Sequence, residues 1–330
     1  MVDQYALAGA GAGLVDSSIS HERSTIVAFV RFIGKRLWLA DVNDADQFLN
    51  HQRKTVGLSH ATVTDKARTI ARFYDFVIHR YQGDIHVITS HVIGQPIDEF
   101  NRPKKAAFTR AERIPPADSE VDEFFDAWKQ ALPDSRKYLP AARDYLAASL
   151  WRRAGLRIAE TVMLDIRDWR PDLGEHGKIH VRFGKGSMGR GPKMRLVPAI
   201  NSVDSLLNWW LTDVRHQFGD DYTNPDAPLL PSERRGETRR VGPNALRSGL
   251  VGAVETWLPD WVGRMTPHVL RHYCASSLYL HGMDLKAIQD LLGHEWLSTT
   301  SGYIHVHDTH IEKAWETANN RVAARLANGR

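Results

Sequence analysis

The sequence predicts a mainly α-helical protein of two domains with one small β-hairpin. Three observations carry this. The 330 residues leave room for about two domains of ordinary size, each with its own buried core. Apolar residues recur at helical spacing through 24–81 and again through most of 119–325. Only between 178 and 198 does the period change, where KIHVRF, a glycine-rich turn and MRLVP read as two strands.

Composition removes several classes of function. Hydrophobic residues at 42% and charged residues at 25% exclude a mostly disordered or fibrous chain. No stretch approaches the roughly 18 uncharged apolar residues of a membrane span, so no membrane role is expected. The opening MVDQYALAGAGAGLVDSS lacks a basic segment and is broken by Asp16, unlike a secretory signal. The single cysteine, Cys274, excludes a disulfide framework and any multi-cysteine zinc site, and the expected compartment is the cytoplasm.

Net charge is only +4, yet the pI is about 9.1 and the basic residues cluster. Residues 182–195 hold Arg182, Lys185, Arg190, Lys193 and Arg195 without an acid. Residues 234–247 hold Arg234, Arg235, Arg239, Arg240 and Arg247 against Glu237, and 102–113 hold Arg102, Lys104, Lys105, Arg110 and Arg113 against Glu112. One such run is usually a solvated face; three together point to a polyanion.

Taken in order, residues 1–20 read as a loose tail rich in Ala, Gly and Ser. Ser24 is placed to cap a helix carrying Ile26, Phe29, Val30 and Ile33. Asn43 or Asp44 starts a second with Phe48 and Leu49 inward. Ser59 starts a long third, with the stripe Val63, Ala67, Ile70, Phe73, Tyr74 and Val77 and with Lys66, Arg68, Arg72 and Arg80 outward. Gly83 ends this pattern, and the Pro-rich stretch that follows reads as a linker. Ser119 then caps a helix holding Val121, Phe124, Phe125 and Trp128; helices follow near 137–153, 201–218, 242–257, 267–281, 284–292 and 309–325. The domains are therefore a tail at 1–20, a helical domain at 21–95, a linker at 96–118 and a second domain at 119–330.

Several motifs bear on chemistry. Gly184, Gly186 and Gly189 match a dinucleotide fingerprint, but a strand follows rather than a helix, so they make a basic hairpin tip instead. In TPHVLRHY, Thr266 caps and Pro267 opens a helix, placing His268 and Arg271 on one face at its N-terminus. Unpaired N–H groups and the positive end of the dipole make that an anion site. A zinc reading of His268 and His272 lacks the glutamate of HExxH. In LLGH, Gly293 ends a helix and His294 follows; Tyr303 comes nine residues later. In GLRIAE, Gly155 breaks the chain, Arg157 opens a helix and Glu160 lies one turn on.

Together GLRIAE (155–160), GKG (184–186), RLVP (195–198), HVLRH (268–272), LLGH (291–294) and the run ending at Tyr303 resemble the catalytic domain of the tyrosine recombinase (phage integrase) family, over about 140–310. Residues 24–81 resemble that family's SAM-like core-binding domain through weaker motifs. The resemblance implies a C-shaped clamp on duplex DNA, with an α/β catalytic domain as its second half. It implies Tyr303 as the nucleophile forming a 3′-phosphotyrosine, and Arg157 and Arg271 as clamps on the non-bridging oxygens. It also implies His268 in proton transfer, His294 on the phosphate, Lys185 as general acid with Lys193 its rival, and Glu160 in support. No metal or cofactor is implied.

The expected activity is conservative site-specific recombination by a homotetramer on paired sites through a Holliday junction, the free protein being a monomer or weak oligomer. Accessory proteins are possible partners, and the protein would be nucleoid-associated. Expected DNA contacts are Lys66, Arg68, Arg72, Lys104, Lys105, Arg190, Lys193, Arg195, Arg239 and Arg240. The alternatives are relaxation in the manner of a type IB topoisomerase and DNA binding without catalysis.

Overall fold

The structure is a computed structural model that describes residues 1–104, 115–184, 191, 193–233, 239–294 and 300. The described chain divides into two compact units, one built from 1–104 and the other from 115–184 and 193–300.

The first unit contains α1 (Val2–Gly11), α2 (Asp16–Ile33), α3 (Val42–Lys54) and α4 (His60–Thr89). Its core is the α4 stripe Val63, Ala67, Ile70, Phe73, Tyr74 and Val77 packed on Ile26 and Phe29 of α2 and Phe48 of α3. Each of the larger apolar side chains stabilises the unit by roughly 1.5–3 kcal/mol. Ser59 caps α4 by accepting the Thr62 N–H at 3.3 Å.

Three expectations for this unit are corrected. Residues 1–20 are not a loose tail: α1 is docked by Tyr5, which stands edge-on to Phe73 at 5.5 Å and donates to Glu22 at 2.8 Å. Tertiary contact overrides the weak local signal of an Ala/Gly run. Ser24 caps nothing, because α2 begins at Asp16; its hydroxyl donates back to the His21 carbonyl at 2.8 Å. Gly83 does not end α4, which continues to Thr89 and buries Ile85. That burial offsets the ~1 kcal/mol a helical glycine costs. The start of α3 is set by Asp41 and Asp44, each accepting the other's backbone N–H, at 3.0 and 2.8 Å.

The second unit opens with α5 (Asp118–Ala131) and α6 (Tyr138–Arg153). Glu120, not Ser119, secures the α5 start by accepting the Ala117 N–H at 2.8 Å. α6 is buried nearly all round, from Ala142 to Trp151, and is the central helix of the unit. After the one-turn α7 (Ile158–Val162) come β1 (Trp169–Arg170), β2 (Lys178–Gly184) and β3 (Lys193–Pro198). They form an antiparallel sheet in the order β1-β2-β3, with Ile179 opposite Val197. The hairpin is thus extended by a strand too short to show in the sequence. Ile179, Val181 and Val197 point to the core. The chain returns through α8 (Val203–Trp209), α9 (Pro243–Trp257), α10 (Pro267–Leu280) and α11 (Leu285–Leu292). The helix expected at 309–325 lies outside the described residues. No helix among the described residues is long and apolar enough to cross a membrane.

Candidate active site

Three separate turns of chain build the site. The first follows α6. Gly155 adopts φ +61°, and a Cβ there would sit 2.5 Å from Leu292 Cδ2, so only glycine lets this turn pass beneath α11. Arg157 then stands at the N-cap of α7, and Glu160, one turn on, accepts its N–H at 2.8 Å and its guanidinium at 2.7 Å.

The second turn is the start of α10. Thr266 accepts the Val269 N–H at 3.2 Å, and Pro267 occupies the first helical turn. His268 stands half-buried here, its ring 4.6 Å from that of His272 in an edge-on arrangement. Arg271, one turn further, is wholly buried. Its guanidinium donates to the Gly155 carbonyl, to the Leu292 carbonyl at 2.7 Å and to His294 Nε2 at 3.0 Å.

The third is the end of α11, a helix capped at its start by Asp284, which accepts the N–H groups of Lys286 and Ala287. Gly293 closes it in the left-handed conformation, at φ +66°. His294 follows and is clipped to Gln289 by two 3.0 Å hydrogen bonds, one through its N–H and one through its carbonyl.

The three turns therefore bring Arg157, Glu160, Arg271 and His294 together. Arg157 also reaches the Leu292 carbonyl, at 3.5 Å, so both guanidiniums share one acceptor. Glu160 is the central counter-charge. Burial would raise its carboxyl, but the hydrogen bonds and charge of Arg195, then the charge of Arg157, outweigh that and hold it at about 2. His294 is pushed down to about 3, first by burial and then by the charges of Arg271, Arg157, Arg195 and His268. Its ring is therefore neutral at pH 7. Because arginine only donates, Nε2 accepts from Arg271, and Nδ1 carries the proton toward Thr300 Oγ1 at 3.0 Å.

Two expected DNA contacts are corrected. Arg195 is not on a surface: its side chain is only 9% exposed and grips both oxygens of Glu160, at 2.9 and 2.8 Å. Arg240 also turns inward, donating to the Val162 and Leu164 carbonyls and to Asp165. The Val162 carbonyl at the end of α7 and the Asp165 carboxylate need donors, and a charge count cannot reveal which arginines serve them. For Arg195 the strand period was a usable signal: it shares a face with Val197, which is fully buried.

The remaining expected DNA contacts divide. Lys193 and Lys104 are exposed. Arg239 is partly exposed and adopts φ +45°. On α4, Lys66 is partly buried; Arg68 and Arg72 are exposed, pairing with Asp65 at 3.2 Å and with Glu22 at 2.8 Å. Lys105, Lys185, Arg190 and Tyr303 lie outside the described residues. Among the described residues, no three His, Cys, Asp or Glu side chains are grouped to hold a metal ion.

Comparison with known proteins bears on this geometry. The family model of the phage integrase family matches residues 118–310. Tyrosine recombinase XerC of Serratia marcescens is 27% identical over 312 residues, covering 93% of this chain and 89% of that protein. The XerC of Nitrobacter winogradskyi is 33% identical over 203 residues, covering 62% of this chain and 58% of the other. Among solved structures, the fold is like that of the XerH site-specific recombinase bound to a palindromic difH substrate in a post-cleavage complex. The TM-score there is 0.67 at 21% identity, covering 96% of this chain and 84% of the other. The chain belongs to the phage integrase family, the tyrosine recombinases. It is a site-specific recombinase enzyme.

Proposed function

We propose that the chain exchanges DNA strands by transient covalent attachment, with Tyr303 as nucleophile, a 3′-phosphotyrosine and a free 5′-hydroxyl as products of the first step, and a Holliday junction as intermediate. The single observation that carries the reading is the convergence of Arg157 and Arg271, from distant segments, on the Leu292 carbonyl and Glu160, with His294 on Arg271.

In this mechanism the phosphodiester replaces the Leu292 carbonyl as the acceptor for the two guanidiniums. Their planar forks bind the non-bridging oxygens and balance the charge that grows as phosphorus becomes pentacoordinate. The negative charge of the phosphate opposes the arginine charges that, after burial, hold His294 down, and the ring hydrogen-bonds the phosphate. His268, at the N-terminus of α10, assists removal of the tyrosyl proton. Lys185, with Lys193 as its rival, protonates the leaving 5′-oxygen. The tyrosyl ester preserves the energy of the phosphodiester, so rejoining needs no external energy source.

The partner is double-stranded DNA carrying recombination sites, gripped in part by Lys66, Arg68, Arg72, Lys104 and Lys193. The working assembly is a homotetramer on paired sites, with accessory proteins as further partners. The test uses a nicked duplex bearing a site selected by the protein from a random-sequence library. The wild type forms a covalent adduct on it and Tyr303→Phe forms none. Absence of an adduct from the wild type overturns the reading, and relaxation of a single-site plasmid without strand exchange favours the topoisomerase alternative.

A further inference from the structure

We propose that Arg195 is a positioning residue for strand cleavage, fixing from β3 the two segments that carry Arg157 and His294. The inference rests on the recombinase reading above.

All three faces of this guanidinium are committed to the site. Nη1 and Nη2 hold the two oxygens of Glu160, at 2.9 and 2.8 Å, and Nε donates to the Leu291 carbonyl at 2.9 Å. The stem runs against Gly293, where a Cβ would come within 3.0 Å of Arg195 Cδ and 3.1 Å of Nη1. One side chain thus ties the α7 turn to the end of α11 across 35 and 96 residues of sequence. Lys193, two residues earlier on the same strand, is exposed.

The arrangement leaves Glu160 saturated. It faces Arg157 from its own turn, Arg195 from β3 and Arg271 from α10, whose Nη1 stands 3.9 Å away, with His294 behind Arg271. Without Arg195, the carboxylate would draw Arg271 the short distance toward itself. Arg271 would then be held against Glu160 instead of being aimed, with Arg157, at the phosphate. Lysine offers a single point charge and replaces one of the three bonds, not the fork.

The test compares full-length wild type, Arg195→Met, Arg195→Lys and Tyr303→Phe on the nicked duplex, reading single-turnover adduct formation from pH 5 to 8 beside affinity in a gel shift. Both Arg195 variants are expected to bind DNA nearly as the wild type does. Adduct formation should fall ~100-fold in Arg195→Met and less in Arg195→Lys, the effect of a misaimed rather than missing group. Arg195→Met should also lose rate more steeply toward acid pH than the wild type does, as Glu160, released from its main partner, takes up a proton. The inference is overturned if Arg195→Met cleaves at the wild-type rate. It is equally overturned if affinity and cleavage fall together with the wild-type pH profile, since that is a purely structural loss. If Arg195→Met does not fold, Arg195→Lys decides on the same two criteria. An inactive wild type would sink the recombinase reading itself, whereas an active wild type with an unaffected Arg195→Met sinks only this inference.

Discussion

The outward face of α4 and the cluster around Glu160 are both rich in arginine, yet the two sets of guanidiniums live in different physics. On α4, Arg68 and Arg72 are 59% and 50% exposed and pair with Asp65 and with Glu22 of α2. Such pairs stabilise a fold by less than about 1 kcal/mol and are screened by salt. Around Glu160, the side chains of Arg271, Arg195 and the carboxylate itself are 1%, 9% and 1% exposed. There each charge is tolerable only because its partners are fixed, and removing one strands the rest. Sequence composition counts both groups as basic residues. Only burial separates cations available to DNA from cations that organise a reaction site.

The largest expected effect breaks the buried set. Glu160→Ala takes from three guanidiniums the carboxylate they share and should cost about 3–5 kcal/mol of the second unit's stability in urea unfolding. A loss under 1 kcal/mol would mean that the cluster behaves like a surface patch. Next comes the turn beneath α11. Gly155→Ala meets both a positive φ and Leu292 Cδ2, and should cost about 1–3 kcal/mol, with cleavage impaired because the Gly155 carbonyl aims Arg271.

A smaller effect is the pH dependence of stability. His294 is depressed in the fold, to about 3 from an ordinary 6.5, so below 6.5 the unfolded chain takes up a proton that the folded one refuses. Stability is therefore fully present above about 6.5 and falls as pH drops toward 3, by up to ~1.4 kcal/mol per pH unit. Glu160 acts in the same direction at lower pH, from its ordinary 4.5 down to about 2. Thermal unfolding of His294→Gln across pH 4–7 should show a flatter slope than the wild type; equal slopes would contradict the neutral, buried ring. The smallest effect belongs to α4. Arg68→Gln and Arg72→Gln should each change stability by less than about 0.5 kcal/mol. Each should also make the salt dependence of DNA binding shallower by about 0.9 on a log–log plot, if the side chain meets a phosphate.

The same contrast explains what was legible beforehand. The stripe of α4, its Ser59 cap, the Thr266–Pro267 start of α10 and the Gly293 stop of α11 are local patterns, and local physics produces them. The motifs around Arg157, Arg271 and His294 could be picked out because each sits at a helix end that the sequence marks. α1 was not legible, since its fixing contacts, Tyr5 on Phe73 and on Glu22, span distances no window sees. The continuation of α4 past Gly83 was hidden for the same reason. Arg195 and Arg240 were misplaced because a basic run does not say which members answer an unpaired carbonyl or a buried acid, although the alternation of β3 carried a hint for Arg195.

The most direct test of the central claim, that Arg157 and Arg271 neutralise the scissile phosphate, changes the phosphate rather than the fold. The nicked duplex is made with a methylphosphonate at the scissile position, which removes one negative charge. Adduct formation by Arg157→Ala and Arg271→Ala is then compared with that on ordinary DNA. The account predicts that both variants are inactive on the phosphodiester and regain cleavage on the neutral linkage. Equal inactivity on both substrates, with folded protein still bound to DNA, would contradict it.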